Sequence, residues 1–213
     1  MSTLSKQTKH DKQNYFFDLP NKFADSGFPI NNYRLIIGDA PYSNPQEIVL
    51  STNAIYSGFN REVAFLCDTY KATLFFVFSI LCGSHDKAKD FLNYIYNNKI
   101  PMSAVAEWLL VHKKLIMVNR NDSNGHKVYT AAIQKLMSNP NIKITKALIL
   151  GDNKSRTSKI LLSYLSTNSI MYEQIIHPSP HAYAGNTLQW CELYLKLDDT
   201  SLSAVKYSDF RIF

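Results

Sequence analysis

Four short apolar runs, each closing on a small or polar residue and set apart by stretches of helical length, limit what this chain can fold into. They are Leu35-Ile36-Ile37 before Gly38-Asp39, Leu115-Ile116-Met117-Val118 before Asn119, Ala147-Leu148-Ile149-Leu150 before Gly151-Asp152-Asn153, and the 169–176 segment, which ends on Ile175-Ile176 before His177. Apolar runs of this length, bounded by turn residues, read as strands buried on both faces. Strands of that kind separated by helices form a parallel sheet covered on both sides. The expected architecture is α/β: a three-layer α/β/α domain around a central, mostly parallel four-stranded sheet.

The spacing of apolar residues between and after these strands predicts helices over 61–82, 86–98, 103–111, 128–138, 158–166 and 187–196. The first should be largely buried, because Val63, Phe65, Leu66, Tyr70, Leu74 and Phe78 fall close to a helical period. With 213 residues and 46% hydrophobic content the chain can bury one substantial core. A single domain over 15–213 is therefore expected, preceded by a flexible polar tail over 1–14 that is either idle or in contact with phosphates. The most apolar window, 72–82, is about half the length of a membrane span, so no membrane association is expected. Three cysteines, Cys67, Cys82 and Cys191, form no CxxC pair and no Cys/His group at ligand spacing. That pattern fits a reduced, cytoplasmic protein without a metal.

A net charge of +6 suits a polyanionic partner without proving one. No GxGxxG or GxxxxGK loop is present, which argues against a dinucleotide or nucleoside-triphosphate enzyme. In open parallel sheets ligands bind outside the carboxyl ends of the strands. Those ends offer Asp39, Asn119, Asn153 and His177, the last held between Ile176 and the prolines Pro178 and Pro180. Taken alone, Asn119 reads as a turn or cap residue, and Tyr56 and Phe59 read as loop anchors.

The order of these motifs resembles the uracil-DNA glycosylase superfamily over roughly residues 33–196. One branch of that superfamily carries GQDPY after its first strand, where this chain has Gly38-Asp39-Ala40-Pro41-Tyr42. An aromatic-Ser pair follows, matched by Tyr56-Ser57, and then a Trp ahead of a strand ending in Asn, matched by Trp108 and Asn119. An aromatic-Thr pair on a helix corresponds to Tyr129-Thr130, a strand ending in Gly to 147–151, and the HPSP signature to His177-Pro178-Ser179-Pro180. The acid departs from the GQDPY branch: it stands second, as Asp39, with Ala40 third. A branch reading GEAPG has its acid in that second place but holds an iron-sulfur cluster on four cysteines, and three scattered ones cannot build it.

The resemblance implies a monomeric DNA glycosylase that flips a base from DNA and hydrolyses its N-glycosidic bond without a cofactor, leaving an abasic site. Breaking that bond leaves positive charge on the sugar and negative charge on the departing base. By resemblance, Asp39 stabilises the sugar cation and orients water, while a neutral His177 donates a hydrogen bond to the base. A preorganised donor of that type contributes about 3 kcal/mol. Asn119 would read the base edge, Tyr56 would stack on the base, and Tyr42 would line its 5-position. His181 or Tyr183 would fill the gap left in the stack, with Ser179, Lys154 and Arg156 on phosphates. The substrate is either uracil or a modified pyrimidine, since relatives act on modified cytosines of phage DNA, including glucosylated hydroxymethylcytosine, in antiviral defence. The competing expectation is a catalytically idle relative serving as a DNA-binding or replication accessory, for which Ala40 is the best support.

Overall fold

Strand β1, Asn32–Gly38, is hydrogen-bonded on both sides and buries Leu35, Ile36 and Ile37 completely. A strand covered on both faces has no solvent face to keep polar, which is why its carboxyl half, Leu35-Ile36-Ile37, is unbroken apolar sequence. The computed structural model describes residues 32–38, 47–49, 62–67, 72–119, 138–140, 142–151, 156–175 and 205–213.

Around β1 the described chain forms an α/β fold. The strands are β2 (Glu47–Val49), β3 (Glu62–Cys67), β4 (Leu115–Asn119), β5 (Lys143–Leu150) and β6 (Met171–Ile175). The sheet order is β2-β3-β4-β1-β5-β6. Strands β4, β1, β5 and β6 run parallel, as the sequence leads one to expect. Two further strands enlarge the sheet at the β4 side, β3 antiparallel to β4 and β2 antiparallel to β3. The helix expected over 61–82 is therefore two elements, β3 and the helix α1 (Ala72–Cys82). The run Glu-Val-Ala-Phe-Leu-Cys is too short for periodicity to separate strand from buried helix, and pairing with β4 decides the matter.

Helix α1 is apolar on nearly every side because it packs against both β3 and the next helix, α2 (His85–Asn97). Helix α3 (Met102–His112) lies on β2, β3 and β4, and α4 (Arg156–Thr167) lies on β6. No described helix is long and apolar enough to cross a membrane.

Helices α2 and α4 stop in the same way. Lys99 and Ser169 take left-handed backbone, at φ 53° and 56°, and the following Ile100 and Ile170 donate back to Ile95 O and Leu165 O at 2.9 and 3.0 Å. Asn98 and Asn168 each donate from Nδ2 to the carbonyl of a tyrosine four residues earlier, Tyr94 and Tyr164, at 2.8 Å. These bonds satisfy helix-end carbonyls, and the buried isoleucines turn the chain back toward the core.

The amino ends of β1 and β4 are closed by the segment that follows helix α5 (Val205–Ser208). Arg34 is buried, and its Nη1 donates to Asp209 O and Arg211 O, both at 2.8 Å, while Nη2 donates to Lys113 O. Burial draws its pKa down to about 10, against a smaller upward pull from Asp209, so the guanidinium stays charged at neutral pH. Lys113 is wholly buried with Nζ 5.1 Å from the Trp108 ring centre and 5.5 Å from that of Phe213. Phe210 and Ile212 complete the closure, with Ile212 N donating to Leu81 O at 2.9 Å.

The tail over 1–14, the segment after it and the helices expected over 128–138 and 187–196 lie outside the described residues, apart from Asn32 and Ser138.

Candidate functional site

The carboxyl ends of β1 and β4 meet in register, with Gly38 opposite Asn119. Register partners in adjacent parallel strands point their side chains to the same face, so whatever Gly38 lacks is space for Asn119. That space is used. A methyl group on Gly38 would lie 2.7 Å from Asn119 Oδ1, 3.0 Å from Phe65 Cζ and 3.2 Å from Phe65 Cε2. Gly38 is thus required by a close approach, with the Asn119 amide and the Phe65 ring edge both seated over its Cα.

Asn119 is the last residue of its strand and is buried among the strand ends. Its amide combines a donor and an acceptor, which suits it to reading the edge of a heterocycle. One strand further on, Gly151 directly follows β5 with φ 137°, a conformation other residues rarely adopt. Its N–H donates to Ile175 O at 2.9 Å, and its own carbonyl accepts from Gln174 Nε2 at 2.9 Å. These two bonds lock the ends of β5 and β6 together.

The chain leaves β1 one residue before Asp39 and leaves β6 two residues before His177. Asp39, Tyr42, Tyr56, Lys154, His177, Ser179, His181 and Tyr183 themselves lie outside the described residues, as does Asn153. Arg156 is the first residue of α4. Of the residues expected to bind the base, Asn119 is the one whose side chain the structure describes.

The sequence does not single out Phe65 as a site residue, because its segment reads as buried helix. The aromatic and β-branched content of 62–67 was the available signal for a strand, and nothing in the sequence marks the backbone turn at Phe65. Among the described residues no group of three or more His, Cys, Asp or Glu side chains could hold a metal ion. The Cys82 thiol is buried in the core, which pushes its pKa up and leaves it inert.

Comparisons with protein-family models, with curated proteins and with solved structures give no match to this chain.

Proposed function

We propose that this protein is a nucleic-acid-processing hydrolase with a three-layer α/β/α fold, and more particularly a DNA glycosylase related to the uracil-DNA glycosylases. The observation that carries the reading is the in-register meeting of Gly38 and Asn119 inside four parallel strands ordered β4-β1-β5-β6. Two residues expected to serve one bond, Asp39 and His177, follow the ends of β1 and β6, which face the same edge of that sheet. Adjacent strands are about 4.8 Å apart, so β1 and β6 are separated by roughly 10 Å, a gap that short loops carrying an acid and an imidazole can close around a nucleoside.

The layers follow from handedness. The path from β1 to β4 and the path from β5 to β6 run in opposite directions across the sheet. Right-handed crossovers then put α1–α3 on one face and α4 on the other.

In this reading the duplex loses one base to the crevice at a cost of a few kcal/mol, offset by contacts in the pocket and by His181 or Tyr183 filling the stack. Asn119 holds the base edge, Tyr56 covers its face and Tyr42 lies along its 5-position. Asp39 opposes the positive charge that grows on the sugar and orients the attacking water. His177 donates a hydrogen bond to the base as negative charge collects on it. Ser179, Lys154 and Arg156 hold the phosphates on either side. The base is uracil or a modified pyrimidine, in repair or in defence against phage DNA.

The test is to incubate the full chain with oligonucleotides carrying uracil and with base-modified phage DNA, then cleave abasic sites with alkali. Strand scission is expected on one of these substrates. Asp39→Asn and His177→Ala should each reduce it by about a hundredfold or more. Binding to every substrate with scission on none would replace this reading with that of a DNA-binding accessory.

A further inference from the structure

Among the described residues four non-glycine positions have left-handed backbone, and three of them, Lys99, Lys114 and Ser169, stand just past the ends of helices. That conformation is ordinary there. Phe65 differs, with φ 66° inside β3. A bulky aromatic residue is strained in this region, and the strain persists only where the surroundings over-determine it.

The surroundings are a bulge. Val49 faces Glu62 and Glu47 faces Cys67, so a two-residue step along β2 answers a five-residue step along β3. On its other side β3 is pinned by the pairing of Val63 with Val118, the residue before Asn119. Bulges re-aim side chains, and this one lays the Phe65 ring against the end of β1, buried and beside the Asn119 amide. The ring edge and the amide oxygen converge on one point, 3.0 and 2.7 Å from the position a Cβ on Gly38 would take.

We propose that Phe65 is a positioning residue for Asn119: its ring holds the amide in one orientation at the strand end, fixing which base edge Asn119 accepts. The consequence for the base rests on the glycosylase reading; the restraint on the amide does not.

The experiment has two arms. In the first, the Asn119 side-chain NH2 signals of the 15N-labelled full chain are assigned by their loss in Asn119→Ala. Their solvent exchange is then compared in Phe65→Leu and Phe65→Ala, each checked for cooperative melting. Exchange is expected to accelerate about tenfold in Phe65→Ala and less in Phe65→Leu. Exchange within about twofold of the parent in either folded variant overturns the proposal. Should Phe65→Ala fail to fold, Phe65→Leu carries this arm.

The second arm uses whichever DNA the alkali assay shows to be cut. Phe65→Leu is expected to lower kcat/KM by about tenfold, and to have no further effect in the Asn119→Ala background. Independent, multiplying losses mean that the ring acts apart from the amide, and overturn the proposal. If the wild-type chain cuts no DNA, the glycosylase reading falls and the exchange arm alone decides the role of Phe65.

Discussion

The two poles of the parallel sheet handle polar groups in opposite ways. At the amino ends, Arg34 and Lys113 are buried cations with their partners close by: three backbone carbonyls for the guanidinium, and two aromatic rings for the ammonium. At the carboxyl ends, Asn119 is wedged over a glycine, beside a ring carried on strained backbone. The contacts at the first pole serve cohesion, because they tie β1 and the end of α3 to the segment around 209–213. Strain and close approach at the second pole serve geometry, because they fix where one amide sits. The contrast separates residues whose loss should be read in stability from residues whose loss should be read in activity.

The largest expected effect is on stability, at Arg34. Replacing it with Ala leaves the carbonyls of Lys113, Asp209 and Arg211 without their guanidinium donor and opens a void where the buried side chain stood. The expected loss is about 3–5 kcal/mol, or roughly a 10 °C fall in melting temperature for a chain of this size. Arg34→Lys keeps the charge but offers one ammonium to carbonyls on two separate segments, and should lose about 2 kcal/mol. A melting temperature for Arg34→Ala within about 2 °C of the parent would break the assignment of this pole to cohesion.

Gly38→Ala probes the other pole. The added methyl cannot stay 2.7 Å from Asn119 Oδ1, so the amide and the Phe65 ring must move. Overpacking of this kind costs about 1–3 kcal/mol, less than the loss at Arg34. In the proposed glycosylase its larger expected effect is on catalysis, about a hundredfold in kcat/KM on whichever DNA substrate the alkali assay identifies, because a displacement of about 1 Å is enough for that. Activity that survives intact while stability falls would place the Gly38 and Asn119 contact with the structural pole.

These differences set what could be read from the sequence. Strands β1, β4 and β5 are legible because each carries an apolar run with no solvent face, and Asn119 is legible because it ends such a run; β6, expected to be buried in the same way, is an edge strand on which Met171 and Tyr172 are exposed. Strand β2 is three residues long, and β3 has an apolar run that serves a helix equally well, so neither is marked. The clamp on Arg34 is illegible for another reason: its carbonyls come from positions 79, 175 and 177 residues away, and carbonyls are common to every residue type. Lys113 reads as one of the surface charges that make the chain basic, whereas it is buried against Trp108 and Phe213. The place of Phe65 depends on a bulge created by pairing with two other strands, and local propensity does not encode such pairings.

The smallest expected effect sharpens the boundary of the amino pole. Lys146 and Asp209 form an ion pair whose side chains are 28% and 45% exposed, so water and salt screen most of it. Lys146→Met should therefore lose only a few tenths of a kcal/mol. Asp209→Asn removes the same pair and also withdraws a negative charge that helps keep the buried Arg34 guanidinium protonated. It should lose more, about 1 kcal/mol, and the excess should resist added salt because Arg34 is shielded from solvent. Urea unfolding at low and high ionic strength measures both variants. Equal losses that vanish together in salt would mean that the Asp209 carboxylate acts only at the surface, and would confine the clamp on Arg34 to its carbonyls.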